Sequence, residues 1–490
     1  MSVSWHRGQQ VAPPLRSSFA AEGPAVRPVG LPGLMVFAIH LLVFGSMFSG
    51  LPGPSALGEL RGEGTVVGVL AIVMAAVVSG VVVDLRGLRS ALLFLPLAIC
   101  IALSFAFNAE QIANAHFLGR EGGEKFVTSL LVVTFYFSAF AAIACIAQVY
   151  GARATLLCGS DAAFWCGYLM LGEMAIEIVS WFVPPIRQVW RETRSLWVNP
   201  GSSEPMFRLV GFAPEPSLNA ITSMGLVGLL AAEVVIRGGT ERFTKRRSHA
   251  VWFLIVALVA IELFLANART FTIGLAGAGL AGLLLSPWAR RLPATLKSAG
   301  VVLTPLPAQA ALVWAVLQQD ASARTDSNIS RSVGMLTTSR LWRQHPMFGI
   351  GFGQYGFHFR GVVPSWGLNT WEVSKYFRGD QYDLISGLPP SFSMFSRVAA
   401  ELGLFGLAAW LFPPLFAIRR AAHLRPGRLT TVIVCALAAQ LWTGLSFDSF
   451  RNAYFWFWLA ILLSWPRQFD GLTVLTLPNP RLAARGATAP

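Results

Sequence analysis

The chain has 490 residues, of which 54% are hydrophobic and only 13% are charged, whereas soluble domains carry about 25% charged residues. This composition excludes a soluble multidomain protein, which could not bury so much apolar surface, and a disordered chain, which is poor in apolar residues. The formal net charge of +14 would also suit nucleic-acid binding. The basic residues alternate between loops as in membrane proteins, however, so no nucleic-acid partner is expected.

Apolar segments follow one another along most of the chain after a tail over residues 1–30. A helix needs about 20 apolar residues to cross the hydrocarbon layer of a bilayer. Twelve segments approach or exceed this length, at 31–50, 64–83, 90–107, 126–149, 157–183, 217–236, 250–267, 271–288, 298–317, 391–418, 429–447 and 453–465. The sequence therefore predicts an all-α integral membrane protein with about 12 transmembrane helices in a lipid bilayer.

Basic residues cluster in alternate connections between these segments. Cytoplasmic loops of membrane proteins carry an excess of Lys and Arg. The basic connections contain Arg86, Arg89, Arg237, Arg242, Lys245, Arg246, Arg247, Arg290, Arg291, Lys297, Arg419, Arg420, Arg425 and Arg428. We therefore expect these connections to face the cytoplasm, together with the N-terminal tail 1–30 and the C-terminal tail 466–490.

Two outward connections are longer than a turn requires. One lies near 184–216, within the first nine transmembrane helices over 31–317. The other is a large loop over 318–390, ahead of the last three helices over 391–465. A long loop at a membrane surface is usually functional or disordered. The large loop contains Trp, Tyr, Gly and Arg and no low-complexity tract, so we expect it to be ordered.

Arginines stand near the outward ends of several segments. They are Arg208, Arg269, Arg331, Arg340, Arg343 and Arg397. An arginine at the membrane boundary is costly unless it meets an anion or a carboxylate. Each one taken alone is explained by snorkelling to the interface or by an ion pair with an acid such as Glu215 or Glu401. As a set they favour phosphate binding, because a guanidinium group binds phosphate through two parallel hydrogen bonds.

The remaining sequence motifs do not indicate a cofactor, a metal site or a catalytic pair. Residues 351–356 match the dinucleotide fingerprint G-x-G-x-x-G, but no βαβ pattern surrounds them, so the glycines indicate a tight turn instead. No paired-histidine or CxxC spacing occurs among the seven histidines and five cysteines, so neither a metal site nor a cofactor is expected. Asp380 and Asp383 flank an irregular stretch and favour a loop-stabilising role over a catalytic one.

The order of these features resembles the O-antigen polymerase and O-antigen ligase superfamily of bacterial membrane glycosyltransferases. The resemblance covers 200–410 in detail. It rests on Arg208-Leu-Val-Gly with Glu215-Pro-Ser before a span, on Arg269 at the start of a helix, and on Arg331 ahead of His345-Pro-Met-Phe-Gly-Ile-Gly-Phe-Gly. After the large loop come Pro389-Pro-Ser-Phe and Glu401-Leu-Gly-Leu-Phe-Gly.

The resemblance implies a GT-C-like fold with its active site between the spans and the large periplasmic loop. Such enzymes lie in the bacterial inner membrane and transfer glycan from an undecaprenyl-diphosphate carrier to an acceptor glycan, with no metal. Their products are surface polysaccharide, exopolysaccharide or lipopolysaccharide, and a chain-length regulator and a flippase are expected partners. By position Arg208, Arg269 and Arg331 match the diphosphate-binding arginines of the family, and Arg340 and Arg397 are further candidates.

One departure favours polymerase over ligase. Ligases of this superfamily usually carry a His-Asn pair at the start of the helix that contains the Glu-Leu-Gly element. Here the corresponding residues are Ser391-Phe-Ser393, without a histidine. The Glu-Pro-Ser and Pro-Pro-Ser-Phe-Ser segments look more like the polymerase branch. A ligase that passes lipid-linked glycan to a lipid or protein acceptor stays open as an alternative.

Glycosyl transfer also calls for a general base within hydrogen-bonding reach of the acceptor hydroxyl. Glu215 is the first candidate, since prolines on both sides stiffen its backbone, although an ion pair with Arg208 explains it equally well. His345 is the second candidate. Four aromatic residues of the large loop could stack on sugars, or form the core of the loop or its interfacial belt: Trp366, Trp371, Tyr376 and Tyr382.

A hypothesis from another class is a transporter or flippase of an anionic lipid-linked substrate. It would use the same outward arginines, and it would also place functional charge near the middle of the bilayer. The acidic residues available for that role are Glu173, Glu177 and Glu262. Neutralising Glu262 separates the two hypotheses, because a transporter should lose flux and a glycosyltransferase should tolerate the change.

Overall fold

A computed structural model of the protein describes residues 31–51, 60, 62–81, 89–117, 119–198, 209–238, 245–318, 326–369, 371–374, 376–377, 388–423 and 427–465. Within these ranges the chain is helical apart from turns and one two-stranded ladder, β1 (His116–Phe117) with β2 (Arg120–Glu121). We number the helices α1 (Gly33–Gly45), α2 (Thr65–Val78), α3 (Leu95–Asn114), α4 (Gly122–Tyr150), α5 (Ala152–Phe182), α6 (Pro184–Arg194), α7 (Pro216–Arg237), α8 (Lys245–Ala260, continued by a π-helical turn Ile261–Leu265), α9 (Arg269–Leu285), α10 (Ala294–Leu303), α11 (Pro305–Gln318), α12 (Asp326–Gln344), α13 (Tyr355–Val362), α14 (Ser365–Leu368), α15 (Trp371–Ser374), α16 (Met394–His423), α17 (Arg428–Thr443) and α18 (Ala453–Ser464).

Each predicted apolar segment coincides with helix in the structure. Seven helical stretches are long and apolar enough to cross a membrane, namely Arg89–Asn114, Gly122–Tyr150, Ala152–Phe182, Pro216–Arg237, Lys245–Leu265, Ala294–Ala315 and Met394–His423. The other five apolar helices, α1, α2, α9, α17 and α18, have 10–17 residues. The predicted segment 298–317 is divided between α10 and α11 at Thr304, where Pro305 lacks the N–H that would continue the hydrogen-bond ladder. The chain is thus an all-helical membrane protein.

Helix α18 lies at the centre of the bundle. Every residue from Tyr454 to Ser464 is buried, so this helix is surrounded by protein rather than by lipid. Small residues let its neighbours pack closely, as is common in membrane helices. A Cβ at Gly225 of α7 would collide with the ring of Tyr454, and a Cβ at Gly277 of α9 would collide with Trp442 of α17.

Connections far apart in sequence meet on one face of the bundle, which we call the loop face. Arg451, between α17 and α18, forms an ion pair of 2.8 Å with Glu63, just before α2. The amide of Gln354 donates to the carbonyl oxygen of Gly122 at 2.9 Å. The described parts of 46–64, 115–121, 183–215, 266–268, 345–393 and 444–452 belong to this face.

An ion-pair network joins α5, α7 and α8 at the opposite ends of these helices. Glu233 is fully buried and accepts a hydrogen bond of 2.6 Å from Arg247. Asp161 lies 3.1 Å from Arg237 and also pairs with Arg247. Two carboxylates and two guanidinium groups therefore neutralise each other at the helix ends where the sequence has its basic connections.

Helix α12 and the short helices α13 to α15 give the large loop a fold of its own. A small apolar cluster joins Val333 and Leu341 of α12, Tyr355 and Phe359 of α13 and Ala400 of α16. This cluster fixes α12 along the first turns of α16. Side chains at the start of α12 therefore stand at the loop face.

Candidate functional site

Two motifs from the sequence pack directly against each other. The turn that begins at Pro346 lies on the Glu401-Leu-Gly segment of α16. The backbone N–H of Ile350 donates to the carbonyl oxygen of Ala400 at 3.0 Å, and the N–H of Leu404 donates to that of Pro346 at 2.8 Å. The glycines of the turn therefore serve close approach between two backbone segments.

Two glycines make this approach possible. Gly403 interrupts α16 with φ 69° and ψ −166°, and Gly349 has φ 67°. A Cβ at Gly403 would collide with the carbonyl group of Met347, and a Cβ at Gly349 would collide with the carbonyl group of Glu401. Only glycine tolerates both the positive φ and the lack of space.

Arg397 is buried in the first half of α16 and links three segments. Its Nε donates to Oε1 of Glu401 at 3.1 Å, and its Nη1 donates to the backbone carbonyl of Asp448 at 2.8 Å. The carboxylate of Asp448 in turn accepts hydrogen bonds from the backbone N–H of Ser391 at 2.6 Å and from its hydroxyl at 3.0 Å. Helix α16, the segment 388–393 and the turn 444–452 are therefore held together by one cation and one carboxylate.

Arg331 lies on the other side of the segment 388–393. Its guanidinium carbon stands 5.8 Å from the ring centroid of Phe392, within the range of a cation–π contact. Phe392 has φ 59°, an uncommon value for a bulky residue. This backbone conformation directs the ring towards α12, and Arg331 itself is half-buried.

Arg269 is exposed at the first residue of α9 and donates to Oδ1 of Asn328. Asn328 precedes Arg331 by three residues, about one helical turn. The next residue of α9, Thr270, accepts a hydrogen bond of 2.8 Å from the hydroxyl of Ser446. Helix α9 therefore contacts both α12 and the turn 444–452.

These contacts close a circuit that we call the arginine ring. It passes through Arg269, Asn328, Arg331, Phe392, Ser391, Asp448, Ser446 and Thr270, with Arg397 bound to Asp448. The ring brings together three of the predicted arginines, from residues 269, 331 and 397 of the chain. Of these, Arg269 is exposed and Arg331 is half-buried, whereas Arg397 is buried and bound to Glu401 and Asp448.

Two further predicted arginines do not belong to the ring. Arg208 lies outside the described residues. Arg340 follows Arg331 by nine residues on α12, about 14 Å along the helix axis. It is exposed, and its Nη1 donates to the carbonyl oxygen of Val362 at 2.8 Å.

Comparisons of the chain with protein-family models, with curated proteins and with solved structures found no match.

The two predicted bases stand apart from each other. Glu215 is exposed immediately before α7. His345 follows the end of α12, 14 residues and about 21 Å from Arg331 along that helix. It is half-buried near His358, and burial, together with the charge of His345, lowers the pKa of His358 below its usual value. His345 therefore lies far from the arginine ring.

Tyr355 is a buried neighbour of the ring. Its hydroxyl donates to the carbonyl oxygen of Gly334 on α12 at 3.3 Å, and its backbone N–H points to Glu401. Burial raises the pKa of Tyr355 well above its usual value, and the charges of Asp448 and Glu401 raise it further. The phenol is therefore neutral at physiological pH and serves as a hydrogen-bond donor.

The predicted aromatic residues are spread along the large loop. Trp366 is 40% exposed on α14, next to Gly367, which packs against Val333 of α12. Tyr376 is half-buried. The side chain of Trp371 and the whole of Tyr382 lie outside the described residues, as do Asp380 and Asp383. Trp366 therefore adjoins a residue that packs on α12.

No group of three or more His, Cys, Asp or Glu side chains suited to a metal ion occurs among the described residues. The chemistry of the site as described rests on guanidinium groups, hydroxyls and carboxylates. All five cysteines are free thiols within helices α3, α4, α5 and α17.

Sequence reasoning missed Asp448 and Asn328, which hold the ring together. The signal for Asp448 was the presence of five polar residues among the seven from Ser446 to Asn452, in a short connection between two apolar segments. Asn328 gave no signal, because its role depends on a contact with a residue 59 positions earlier in the chain.

Proposed function

We propose that this protein is a metal-independent membrane glycosyltransferase of the polymerase type. It joins undecaprenyl-diphosphate-linked oligosaccharide repeat units at the periplasmic face of the bacterial inner membrane, in the synthesis of a surface polysaccharide or exopolysaccharide. The observation that carries the proposal is the arginine ring, in which Arg269 contacts Asn328 about one helical turn before Arg331. The motif resemblance to O-antigen polymerases and ligases supports it.

In this proposal the protein has 12 spans, a GT-C-like architecture and a periplasmic loop face. The alternation of basic connections supports the orientation, because Lys and Arg are retained in the cytoplasm. The agreement of seven long and five shorter apolar helices with the predicted segments supports the number of spans.

The arginine ring fits the chemistry of glycosyl transfer from a diphosphate. When the bond between the anomeric carbon and the phosphate oxygen breaks, negative charge grows on the leaving diphosphate. Cations fixed at that oxygen in a site with little water stabilise this charge, and such electrostatic stabilisation is usually the largest single contribution to catalysis. We assign this role to Arg269 and Arg331, with Arg208 as the predicted third cation. Arg397 acts through Asp448 and Glu401 as a positioning residue.

The acceptor hydroxyl loses its proton in the same step. Glu215 remains our first candidate base, because it is exposed at the loop face. His345 is separated from Arg331 by most of helix α12, which makes it the weaker candidate. Trp366, which is 40% exposed, remains our candidate for stacking on a sugar.

The residues at the start of α16 support polymerase over ligase. In ligases of the resembling superfamily a histidine usually stands here. In this chain Ser391 binds the Asp448 carboxylate, and the hydroxyl of Ser393 donates to the amide oxygen of Gln309 at 2.8 Å. Both serines therefore have structural partners, and no histidine stands at this position.

The test uses purified protein in nanodiscs with the undecaprenyl-diphosphate-linked repeat unit of its own host. Wild-type protein should convert this donor into a ladder of lengths, and Arg269→Ala should abolish the ladder. Arg343→Ala is the matched control, since Arg343 is also exposed but lies at the far end of α12, and it should keep the ladder.

Three results would overturn the proposal. Transfer to a supplied lipid or protein acceptor without a ladder would assign the protein as a ligase. A donor that stays intact with every acceptor, while it crosses the membrane of proteoliposomes, would assign it as a transporter. Equal ladders from wild type and Arg269→Ala would remove the diphosphate role of the ring.

A further inference from the structure

Helix α6 folds back along the end of α5. The Nε of Arg187 donates to the carbonyl oxygen of Ser180 at 3.1 Å, and the indole N–H of Trp190 donates to Oε1 of Glu173 at 3.3 Å. Two prolines occupy the first turn of α6, where no backbone N–H is needed for the helix. The two helices therefore form a hairpin with its turn at Val183.

One face of α6 is covered by protein. Trp190 and Arg194 are buried on this face, and Nη2 of Arg194 donates to the carbonyl oxygen of Ala213 at 3.1 Å. The carboxylate of Glu177 on α5 accepts a hydrogen bond of 3.0 Å from the backbone N–H of Gly211. The hairpin is therefore bound to the segment that precedes α7.

The length of α7 indicates the depth at which the hairpin lies. This helix has 22 residues, which extend over about 33 Å and match the ~30 Å hydrocarbon layer of a bilayer. Its first residue, Pro216, therefore lies near the boundary of that layer at the loop face. Gly211 and Ala213, which bind the hairpin, come just before Pro216. The hairpin thus lies at the same boundary.

An exposed apolar stripe runs along another face of α6. Val189 is 62% exposed, and Leu196, in the turn that follows the helix, is 70% exposed. Because successive side chains of a helix point about 100° apart, four of them fall within about 80° of one another: Ile186, Val189, Thr193 and Leu196. The hydroxyl of Thr193 donates to the carbonyl oxygen of Val189 at 2.7 Å, so its donor is satisfied within the helix. We call these four residues the apolar stripe.

Polar side chains occupy the remaining sector of α6, between the buried face and the apolar stripe. Gln188, Arg191 and Glu192 are exposed there, and the amide of Gln188 donates to Oε1 of Glu192 at 3.0 Å. A helix with one polar and one apolar side is typical of segments that lie in the plane of a membrane interface.

The surroundings of the apolar stripe indicate that lipid covers it. On α5, Ile176, Val179 and Phe182 are exposed apolar residues spaced three positions apart, and α5 is long and apolar enough to cross a membrane. The stripe begins at Ile186, four residues after Phe182. The exposed apolar surface of a span therefore leads into the stripe, as expected if both face lipid.

We propose that α6 is an interfacial helix whose apolar stripe inserts into the bilayer at the loop face, among the headgroups and the upper parts of the acyl chains. Such helices bury their apolar face about 5–10 Å into this region. Through Arg194 and Glu177, the position of α6 also fixes the depth of the segment before α7, and with it that of Glu215. The inference requires neither an orientation of the protein nor glycosyl transfer.

The test places a fluorophore on single introduced cysteines in the whole chain, reconstituted in phosphatidylcholine nanodiscs. Val189→Cys and Thr193→Cys lie in the apolar stripe, and Gln188→Cys and Glu192→Cys are the matched controls in the polar sector. Each variant is labelled with the polarity-sensitive fluorophore NBD. The wild type, labelled in parallel, gives the background from the five native cysteines. The two quenchers are iodide in the water and phosphatidylcholine with a nitroxide near the top of its acyl chain.

At positions 189 and 193 the lipid nitroxide should quench the fluorophore several-fold more strongly than at positions 188 and 192, and iodide several-fold less. Two positions in each sector keep the comparison valid if one variant fails to fold. Iodide quenching at 189 and 193 equal to that at 188 and 192 would overturn the proposal, because the stripe would then face water.

Protection of positions 189 and 193 from both quenchers would also overturn the proposal. The stripe would then be covered by protein, either a second copy of the chain or another segment of the same chain. The measurement uses no substrate, so its result is independent of whether the protein forms a ladder.

Discussion

Arg397 donates a hydrogen bond of 2.8 Å to the backbone carbonyl of Asp448, and the carboxylate of the same Asp448 receives two hydrogen bonds from Ser391. The turn between α17 and α18 is thereby fixed to the residues that precede α16. The ring of Phe392, under the guanidinium group of Arg331, depends on the same segment. The buried Arg397 therefore helps to set the position of the half-buried Arg331.

The first prediction concerns the buried pair of Arg397 and Glu401. Arg397→Met should leave the carboxylate of Glu401 buried without its cation, at a cost of about 3–5 kcal/mol in folding free energy. The double variant Arg397→Met with Glu401→Gln should recover part of this loss, because it buries no charge. Thermal unfolding in detergent measures both. Equal unfolding temperatures for the two variants would contradict the argument.

The next prediction tests whether the geometry of the Arg331 guanidinium group matters, or only its charge. If it binds the leaving diphosphate through two parallel hydrogen bonds, Arg331→Lys should keep the charge and lose most of the geometry. We expect the rate of ladder formation to fall at least tenfold with an unchanged unfolding temperature. Arg343→Lys on the same helix is the control. Wild-type rates for Arg331→Lys would show that charge alone suffices at this position.

The sequence predicted the helices well and their contacts poorly. Apolar length specifies where a membrane helix lies, so the segment 453–465 reappears as α18 with an almost identical boundary. The pairing of Glu63 with Arg451 joins residues 388 positions apart, and no local pattern encodes it. The sequence predicted that Arg269 and Arg331 lie at the same surface. The contacts of Asn328 and Asp448 could be seen only in the folded structure.

Gly403 belongs to the Glu401-Leu-Gly motif, and its backbone conformation requires glycine. Gly403→Ala should destabilise the protein by at least about 1–3 kcal/mol, the usual cost of a strained backbone conformation, because φ is 69° and the Cβ would collide with Met347. Gly279→Ala in α9 is the control, since a Cβ there meets nothing within 4 Å. Unfolding temperatures of the two variants give the comparison. Equal stability would mean that the turn at Met347 can move aside.

The lowered pKa of His358 leads us to predict that stability depends on pH. Burial and the neighbouring His345 lower the pKa of His358, so the unfolded chain binds a proton at higher pH than the folded protein does. The free energy of unfolding is therefore unaffected by this residue above about pH 6.5. It decreases as the pH falls from there towards the lowered pKa, because protons bind preferentially to the unfolded chain. His358→Gln should reduce the loss of unfolding temperature between pH 7.5 and 5.5. A loss in His358→Gln equal to that of the wild type would contradict this account.

Glu262 separates glycosyl transfer from transport. Its Oε1 accepts hydrogen bonds from Asn219 at 2.8 Å and from Ser223 at 2.6 Å, which fixes the π-helical turn at the end of α8 to α7. A glutamine keeps an oxygen in this position, so we expect Glu262→Gln to change folding free energy by less than about 1 kcal/mol and to preserve ladder formation. A transporter that relies on this carboxylate would lose flux in proteoliposomes. Loss of substrate flux in a variant that folds normally would therefore favour transport, because the hydrogen bonds that serve packing are retained and only the charge is removed.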